Sequence, residues 1–398
     1  MWTAVKALLE QTKAYEVCVY SGGNEGIEEI LLKVKNNFGI FIPPGLVKKV
    51  KLESVCLIEA SKYPVGTLFF QFLGSIFLMH EVLIRRTPSL LIDTHGQPFG
   101  YYLSMLAGVP ILAYVHYPLI STDMIQKVRE RRPSYNNSSN ITSTVSVSRL
   151  KLLYYKLLIT WYSTAGYFCK LALCNSTWTY NHMQTIWSCP LSIVYPPCDI
   201  EKFLSIPLHC KKELNVISIG QFRPEKDHEL QILAMKEVVT KNPQLSKAKL
   251  ILVGSCRDEG DQTRVENLKK LAKSLFIQDN VQFYVNVPYT ELLSLVQTSM
   301  IGLHSMWNEH FGICVVELMA SGLITIAHNS AGPKEDIISH EKEGFLASTP
   351  EEYSGYIARG LIDFSNLQEL RENARVKVRK FSQDHFESRF KSCIQGYL

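Results

Sequence analysis

No block of lysine and arginine runs through these 398 residues, no Cys-x-x-Cys or Cys/His metal spacing joins the ten cysteines, and no low-complexity tract or solenoid repeat is present. With a formal net charge of only +5, the first absence excludes the basic footprint of a nucleic-acid binder and leaves anionic small molecules or lipid headgroups as partners. The second reads as buried or idle thiols in a reducing compartment. The start of the chain has no basic region followed by an apolar block, so no secretory signal is read. The sequons at Asn136, Asn137, Asn140 and Asn175 are therefore expected to be unused. A Ser-His-Asp order, GxSxG, GxxxxGK[ST] and HExxH are all missing, which sets aside the common hydrolase, P-loop and zinc-protease chemistries. Nor is any uncharged run long enough for a plain membrane span. Val65–Met79, about 15 residues, falls short of the roughly 20 that a bilayer needs. It predicts a buried helix or one dipping into a membrane surface, where Arg85 and Arg86 would suit anionic headgroups. Leu150–Leu173, with Lys151, Lys156 and Lys170, has a similar interfacial character.

What is present is the composition of a folded protein, 46% hydrophobic and 20% charged, long enough for two domains. Short apolar runs alternate with helical patterns. Strands are predicted at 15–20, 52–58, 90–94, 110–115, 171–174 and 192–195, then at 216–219, 249–253, 281–284, 300–304 and 323–327. Such alternation argues for an α/β fold with parallel sheets covered on both faces. Val194-Tyr-Pro-Pro-Cys-Asp199 reads as a linker into a helix capped by Asp199, which divides the chain into domains 1–198 and 199–398. Arg129–Ser148 reads as an exposed polar loop. The chain opens on a helix, Trp2 to Gln11, whereas doubly wound domains usually open on a strand and a Gly-rich loop.

The chemistry concentrates in the second half. Glu309 and Glu317 stand eight residues apart, Glu309 on a loop after a strand and Glu317 in the helix that starts near Ile313. A strand, a glycine turn and a helix N-terminus form an arrangement that holds an anion, and Glu317 could reach a polyol beside it. Phosphate plus hydroxyls suggests a sugar nucleotide. Arg223 and Lys226 follow another strand, where cations suit a diphosphate, although a solvated turn has the same composition. Leu250–Ser255, a strand ending in glycine, could face a nucleobase. The turn Ala331–Asp336, with Gly332, could touch a sugar or be an ordinary loop. In the first half His95 and His116 each follow a strand, as functional groups aimed at an interdomain cleft or as structural residues.

Together, Glu309-x7-Glu317 with its preceding strand, Gly332-Pro-Lys-Glu-Asp336 and the Pro-Glu-Lys226 turn resemble the family 4 retaining glycosyltransferases. That resemblance implies the GT-B fold, two Rossmann-like parallel-sheet domains facing a cleft. The stretches 304–313, 220–228 and 93–96 are similar to the eukaryotic α-1,2-mannosyltransferases of dolichol-linked oligosaccharide assembly. The implied donor is GDP-mannose, bound mainly by the C-terminal domain. No cofactor or metal is expected, and Arg223 and Lys226 would stabilise the departing GDP. Glu309 would bind mannose hydroxyls and Glu317 the ribose. The helix beginning near Phe311, Gly312 and Ile313 would hold a phosphate, and His116, with His95 nearby, would sit by the sugar. The implied acceptor is a dolichol-diphosphate-linked oligosaccharide at the cytosolic face of the endoplasmic reticulum membrane, receiving the fourth and fifth mannoses. Assembly with other mannosyltransferases of the pathway is a further implied partnership, and nucleic acid is not.

Two departures stand out. Gln221 occupies the place where many family 4 enzymes have arginine. The family's membrane anchor, first strand and Gly-rich loop are not found ahead of Trp2, so the N-domain sheet is expected to lack a neighbour. A truncated form that binds GDP-mannose or partner transferases without turnover is the alternative expectation. A sugar-nucleotide enzyme acting on a soluble acceptor is a third, which the apolar Val65–Met79 disfavours.

Overall fold

The computed structural model describes residues 1–11, 16–63, 66–119 and 145–398, and of 145–152 the backbone only. The sequons at Asn136, Asn137 and Asn140, and the predicted polar loop up to residue 144, lie outside the described residues. Two compact units divide the chain, Met1–Tyr195 with Phe386–Leu398, and Pro196–His385.

In the first unit, β1 (Val17–Ser21) and β2 (Val47–Lys51) form a two-stranded parallel sheet. β3 (Leu91–Asp93), β4 (Ile111–Val115), β5 (Cys169–Cys174) and β6 (Leu191–Ile193) form a second parallel sheet in that order. All five residues of β4 are buried, as a strand covered on both faces requires. Alternate side chains separate the two faces. Ile111, Ala113 and Val115 pack with Phe72, Phe99, Tyr162 and Trp187. Leu112 and Tyr114 join Phe386, Phe390 and Ile394, which explains why the C-terminal residues belong to this unit. The opening helix, Trp2–Gln11, packs Ala4 and Ala7 into that second cluster and turns Val5 toward Val19, Leu31 and Val47. It therefore bridges the cores of the two sheets.

The strand expected at 52–58 is a 3-10 turn, Ser54–Ile58, and the strand lies earlier at β2. Glu81 accepts hydrogen bonds from the backbone N–H groups of Glu53 (2.9 Å) and Ser54 (2.7 Å), which turns the chain out of the sheet. Lysines 48, 49 and 51 hide β2 from a hydrophobicity pattern, as charge does on edge strands. The apolar run of the sequence forms a 19-residue helix, Thr67–Arg85, long and apolar enough to cross a membrane by length and composition only. One face buries Phe72, Gly74, Ser75, Met79 and Val82, while Phe69, Phe70, Phe77 and Ile84 are exposed. The fourth sequon residue, Asn175, is buried, and its side-chain oxygen accepts a hydrogen bond from the Thr179 hydroxyl at 2.7 Å.

The second unit holds one six-stranded sheet of β7 (Asn215–Ile219), β8 (Lys249–Gly254), β9 (Val281–Val285), β10 (Ile301–His304), β11 (Ile324–His328) and β12 (Phe345–Ala347). Its order is β12-β11-β10-β7-β8-β9, and every pairing is parallel. This is the doubly wound order, in which the strand order reverses between the parallel neighbours β7 and β10. The crevice at their C-terminal ends is where such sheets bind ligands. The predicted Asp199 cap does not form. The short helix is Glu201–Leu204 with Ile200 at its N-cap, and Asp199 instead pairs with Lys202 at 3.2 Å.

Candidate active site

The reversal between β7 and β10 opens a cavity of about 580 Å³ within the second unit, a size suited to a nucleotide-class ligand. Three loops make its walls. The first leaves β7 as Gly220-Gln-Phe-Arg-Pro-Glu-Lys. Phe222 is fully buried, stacks on His228 at 5.1 Å and anchors the loop, while Gln221, Arg223 and Lys226 line the cavity. Asp227, at φ 47°, closes the loop and caps the His228–Lys241 helix by accepting from the Leu230 N–H at 3.2 Å. The second wall is the end of β8 with Val253, Gly254 and Ser255, together with Asn286 and Val287. Val253, Gly254 and Ser255 belong to the stretch read from the sequence as a crevice that could accept a nucleobase, whereas Asn286 and Val287 were not singled out there. The third wall comes from the loop after β10 and the Ile313–Ala320 helix, through Met306, Glu309, Ile313, Cys314 and Glu317.

That helix begins at Gly312, whose φ of 109° is open to glycine and strained for other residues. Its first turn has no acidic residue, so the positive end of the helix stands at the cavity wall. Glu309 precedes it and is positioned by backbone contacts. Its carbonyl accepts the Gly332 N–H at 3.0 Å, and the Asn308 N–H donates to the Ser330 hydroxyl at 2.9 Å. Gly332 is needed for this approach, because a Cβ there would lie 2.4 Å from the Phe311 carbonyl oxygen. Phe311 itself is buried against Phe381, with ring centroids 5.2 Å apart. Phe311 and Gly332 thus support the Glu309 loop from behind and do not line the cavity.

The charged groups face one another across this space. The Lys226 ammonium lies 2.7 Å from Oε2 of Glu309, and Nε2 of His304 lies 3.3 Å from the same oxygen. Burial alone would raise the Glu309 carboxyl. The His304 imidazole and the Lys226 ammonium outweigh it and hold the group well below the usual carboxylate range. Burial works against the Lys226 ammonium too, yet Glu309 raises its pKa. Glu317 behaves oppositely. Burial first, and the Asp199 carboxylate second, push it up to about 7. The two glutamates of one motif therefore differ in kind, one a fixed carboxylate acceptor and the other a carboxyl that can accept from or donate to a hydroxyl near neutral pH. Arg223 stands 3.7 Å from Glu225, and its Nε is buried without a hydrogen-bond partner. Among the described residues no three His, Cys, Asp or Glu side chains group as a metal site would require.

His95 and His116 belong to the first unit, after β3 and β4, and line a small cavity of about 40 Å³ there. Asp93 builds the His95 turn. Its carboxylate accepts from the N–H groups of His95 (2.8 Å), Gly96 (2.9 Å) and Gln97 (3.0 Å) and from the Tyr101 hydroxyl (2.6 Å). His116 packs edge-on to Tyr114, with centroids 5.1 Å apart. Burial lowers its pKa, against a hydrogen bond with the Thr94 backbone that raises it.

Comparison with known proteins matches both halves of the chain. Residues 1–187 match a family described as "ALG11 mannosyltransferase N-terminus", and residues 199–381 match "Glycosyl transferases group 1". A Dictyostelium discoideum protein named "GDP-Man:Man(3)GlcNAc(2)-PP-Dol alpha-1,2-mannosyltransferase" is 40% identical over 411 residues, covering 100% of this chain and 81% of that protein. The chain belongs to this mannosyltransferase family. Relatives of the same name from Xenopus laevis and Homo sapiens are 42% and 41% identical, covering 98% and 99% of this chain and 82% and 83% of theirs. Among solved structures, a sucrose-phosphate synthase from Thermosynechococcus elongatus superposes with a TM-score of 0.70 at 14% identity, covering 99% of this chain and 91% of that one. An α,α-trehalose 6-phosphate synthase from Burkholderia multivorans gives 0.70 at 11% identity, covering 96% and 99%. These likenesses carry the fold alone, and the fold is GT-B.

In this mannosyltransferase family member, the cavity brings together Arg223, Lys226, Glu309, Ile313 and Glu317 of the residues singled out in the sequence. Two residues that sequence reasoning passed over complete it. His304, the last residue of β10, is buried beside Glu309. Ser305, also buried, ties the third wall to the first. Its hydroxyl donates to the carbonyls of Lys226 (2.7 Å) and Asp227 (3.1 Å) and accepts from the Gln231 amide at 2.6 Å. A polar pair ending an apolar strand, at the edge where parallel sheets bind ligands, was the available signal for both.

Proposed function

We propose that this protein transfers mannose from GDP-mannose, in α-1,2 linkage, to a dolichol-diphosphate-linked core oligosaccharide. The observation that carries this reading is the Lys226–Glu309–Glu317 constellation at the β7/β10 reversal, in a chain whose family is named for that donor, acceptor and linkage. Lys226 and Arg223 hold the diphosphate, with the N-terminus of the Ile313–Ala320 helix as a further partner for a phosphate. Glu309, ionised and fixed, accepts hydrogen bonds from mannose hydroxyls. Glu317 bonds the ribose hydroxyls, and the end of β8 receives the base.

The 2-hydroxyl of the acceptor mannose attacks C1 of the donor sugar as the bond from C1 to the phosphate oxygen breaks. The hydroxyl proton passes to the departing diphosphate. Negative charge develops on that diphosphate, and pre-positioned cations stabilise it there. Attack from the same face as departure accounts for retention and needs no covalent nucleophile, so Glu309 and Glu317 are not a glycosidase pair. Lys226 and Arg223 supply the electrostatic role without a metal.

The acceptor lipid places the reaction at a membrane, and in this reading that membrane is the cytosolic face of the endoplasmic reticulum. The Thr67–Arg85 helix supports contact with a membrane surface, since Phe69, Phe70, Phe77 and Ile84 are exposed along it and Arg85 and Arg86 stand at its end.

The test is incubation of the protein with labelled GDP-mannose and a trimannosyl lipid-linked acceptor. The expected products carry one and then two added mannoses, both released by an α-1,2-specific mannosidase. GDP-mannose binding without turnover would sink the proposal in favour of a non-catalytic donor-binding form. Equal rates on a lipid-free acceptor would contradict the lipid acceptor.

A further inference from the structure

The arrangement around Glu309 raises a difficulty that only the occupied site exposes. In the structure the Lys226 ammonium pairs with Glu309 at 2.7 Å, and both side chains are largely buried, at 19% and 17% exposure. Lys226 is also the cation best placed for a diphosphate. A donor phosphate that takes up Lys226 draws it away from Glu309. A buried carboxylate that loses its partner is expensive to keep ionised, and that cost would weaken donor binding.

A second partner is already in place. His304 is the last residue of β10, and its side chain is 3% exposed. Its backbone is fixed, since the carbonyl accepts the hydroxyl of the fully buried Tyr353 at 2.9 Å. Nε2 stands 3.3 Å from Oε2 of Glu309, the oxygen that Lys226 also holds, within ion-pair reach but outside hydrogen-bond geometry. Nδ1 is buried and has no partner either. An imidazole with neither nitrogen satisfied at such depth is unusual and calls for an explanation. It stands within electrostatic reach of an acceptor that Lys226 holds at the shorter, hydrogen-bonded distance.

We infer that His304 is a positioning residue for donor binding. When the donor diphosphate engages Lys226, Nε2–H of His304 closes on Oε2 of Glu309 and keeps the carboxylate ionised and aimed at the sugar. The inference rests on the donor reading proposed above and adds a hand-over of Glu309 from lysine to histidine. Histidine suits this role because it can donate from Nε2 whether neutral or protonated, and it adds no obligatory charge to the empty site.

The test is a double-mutant cycle on the intact protein, read by titration calorimetry with GDP-mannose. His304→Leu removes the donor, and His304→Gln keeps an N–H at similar reach. Glu309→Gln removes the charge that needs a partner. We expect His304→Leu to weaken GDP-mannose binding by roughly 10- to 100-fold in the wild-type background, while His304→Gln stays within about threefold of wild type. In the Glu309→Gln background His304→Leu is expected to have almost no effect. A merely structural role would lower the melting temperature of the free protein and would weaken binding equally in both backgrounds. Equal weakening in the two backgrounds, or a His304→Gln variant as poor as His304→Leu, overturns the inference while leaving the donor reading intact. Failure of the wild-type protein to bind GDP-mannose overturns both.

Discussion

Replacing Glu309 with alanine is expected to lower mannosyl transfer by roughly 10²- to 10⁴-fold, while the fold survives. The estimate takes one carboxylate accepting from two sugar hydroxyls, at about 1.5–3 kcal/mol for each hydrogen bond to a charged acceptor, and a factor of ten for each ~1.4 kcal/mol. The contact matters because it orients C1 of the donor, and a sugar free to turn spends less time in a reactive pose. Removing the carboxylate also leaves the Lys226 ammonium without the partner it has at 2.7 Å. The loss should therefore appear in kcat as well as in KM. Steady-state kinetics of Glu309→Ala with GDP-mannose and the trimannosyl acceptor give the answer, with melting temperature as the control. Activity within about threefold of wild type would remove Glu309 from the site.

The second large effect is expected at Gly332, which has no side chain to touch the donor. Its added methyl would sit 2.4 Å from the Phe311 carbonyl oxygen and 2.6 Å from the Phe311 Cα, both backbone atoms that cannot rotate away. Overpacking of this kind costs about 1–3 kcal/mol. At roughly 2–4 °C per kcal/mol for a unit of this size, Gly332→Ala should melt several degrees below wild type. Its activity should fall further than its stability. The loop that must move carries Glu309, whose carbonyl accepts the Gly332 N–H at 3.0 Å. Below its melting temperature the variant is expected to lose more than about tenfold in transfer, since a displacement near 1 Å can cost two orders of magnitude. A variant with wild-type melting and wild-type kinetics would show that the loop does not depend on this contact.

These two residues show where sequence reasoning succeeds and where it stops. Glu309 was legible because a carboxylate on a loop between an apolar strand and a helix has few structural reasons to be there. Gly332 was read as part of a turn that could touch sugar or be an ordinary loop. The structure packs it against the backbone of the Glu309 loop, a contact that joins segments more than twenty residues apart and that the sequence does not announce. The alternating α/β pattern was visible because buried parallel strands read as continuous apolar runs, as in Ile111–Val115 and Leu250–Val253. β2, with lysine at three of its five positions, and the three-residue β12 give no such run. The strand expected at 52–58 failed for a different reason. Its apolar, β-branched residues fit the pattern, but Glu81, nearly thirty residues later, captures the N–H groups of Glu53 and Ser54. His304 was hidden because nothing in the sequence says that a strand-ending histidine faces a glutamate five residues on.

The claim on which everything else depends is that Lys226 holds the diphosphate of GDP-mannose. Titration calorimetry of the wild-type protein and Lys226→Ala with GDP-mannose measures it directly. One donor site is expected in the wild-type protein, weakened by roughly 10- to 150-fold in the variant, the loss of one charged hydrogen bond worth about 1.5–3 kcal/mol. Equal affinity in the two proteins would contradict it.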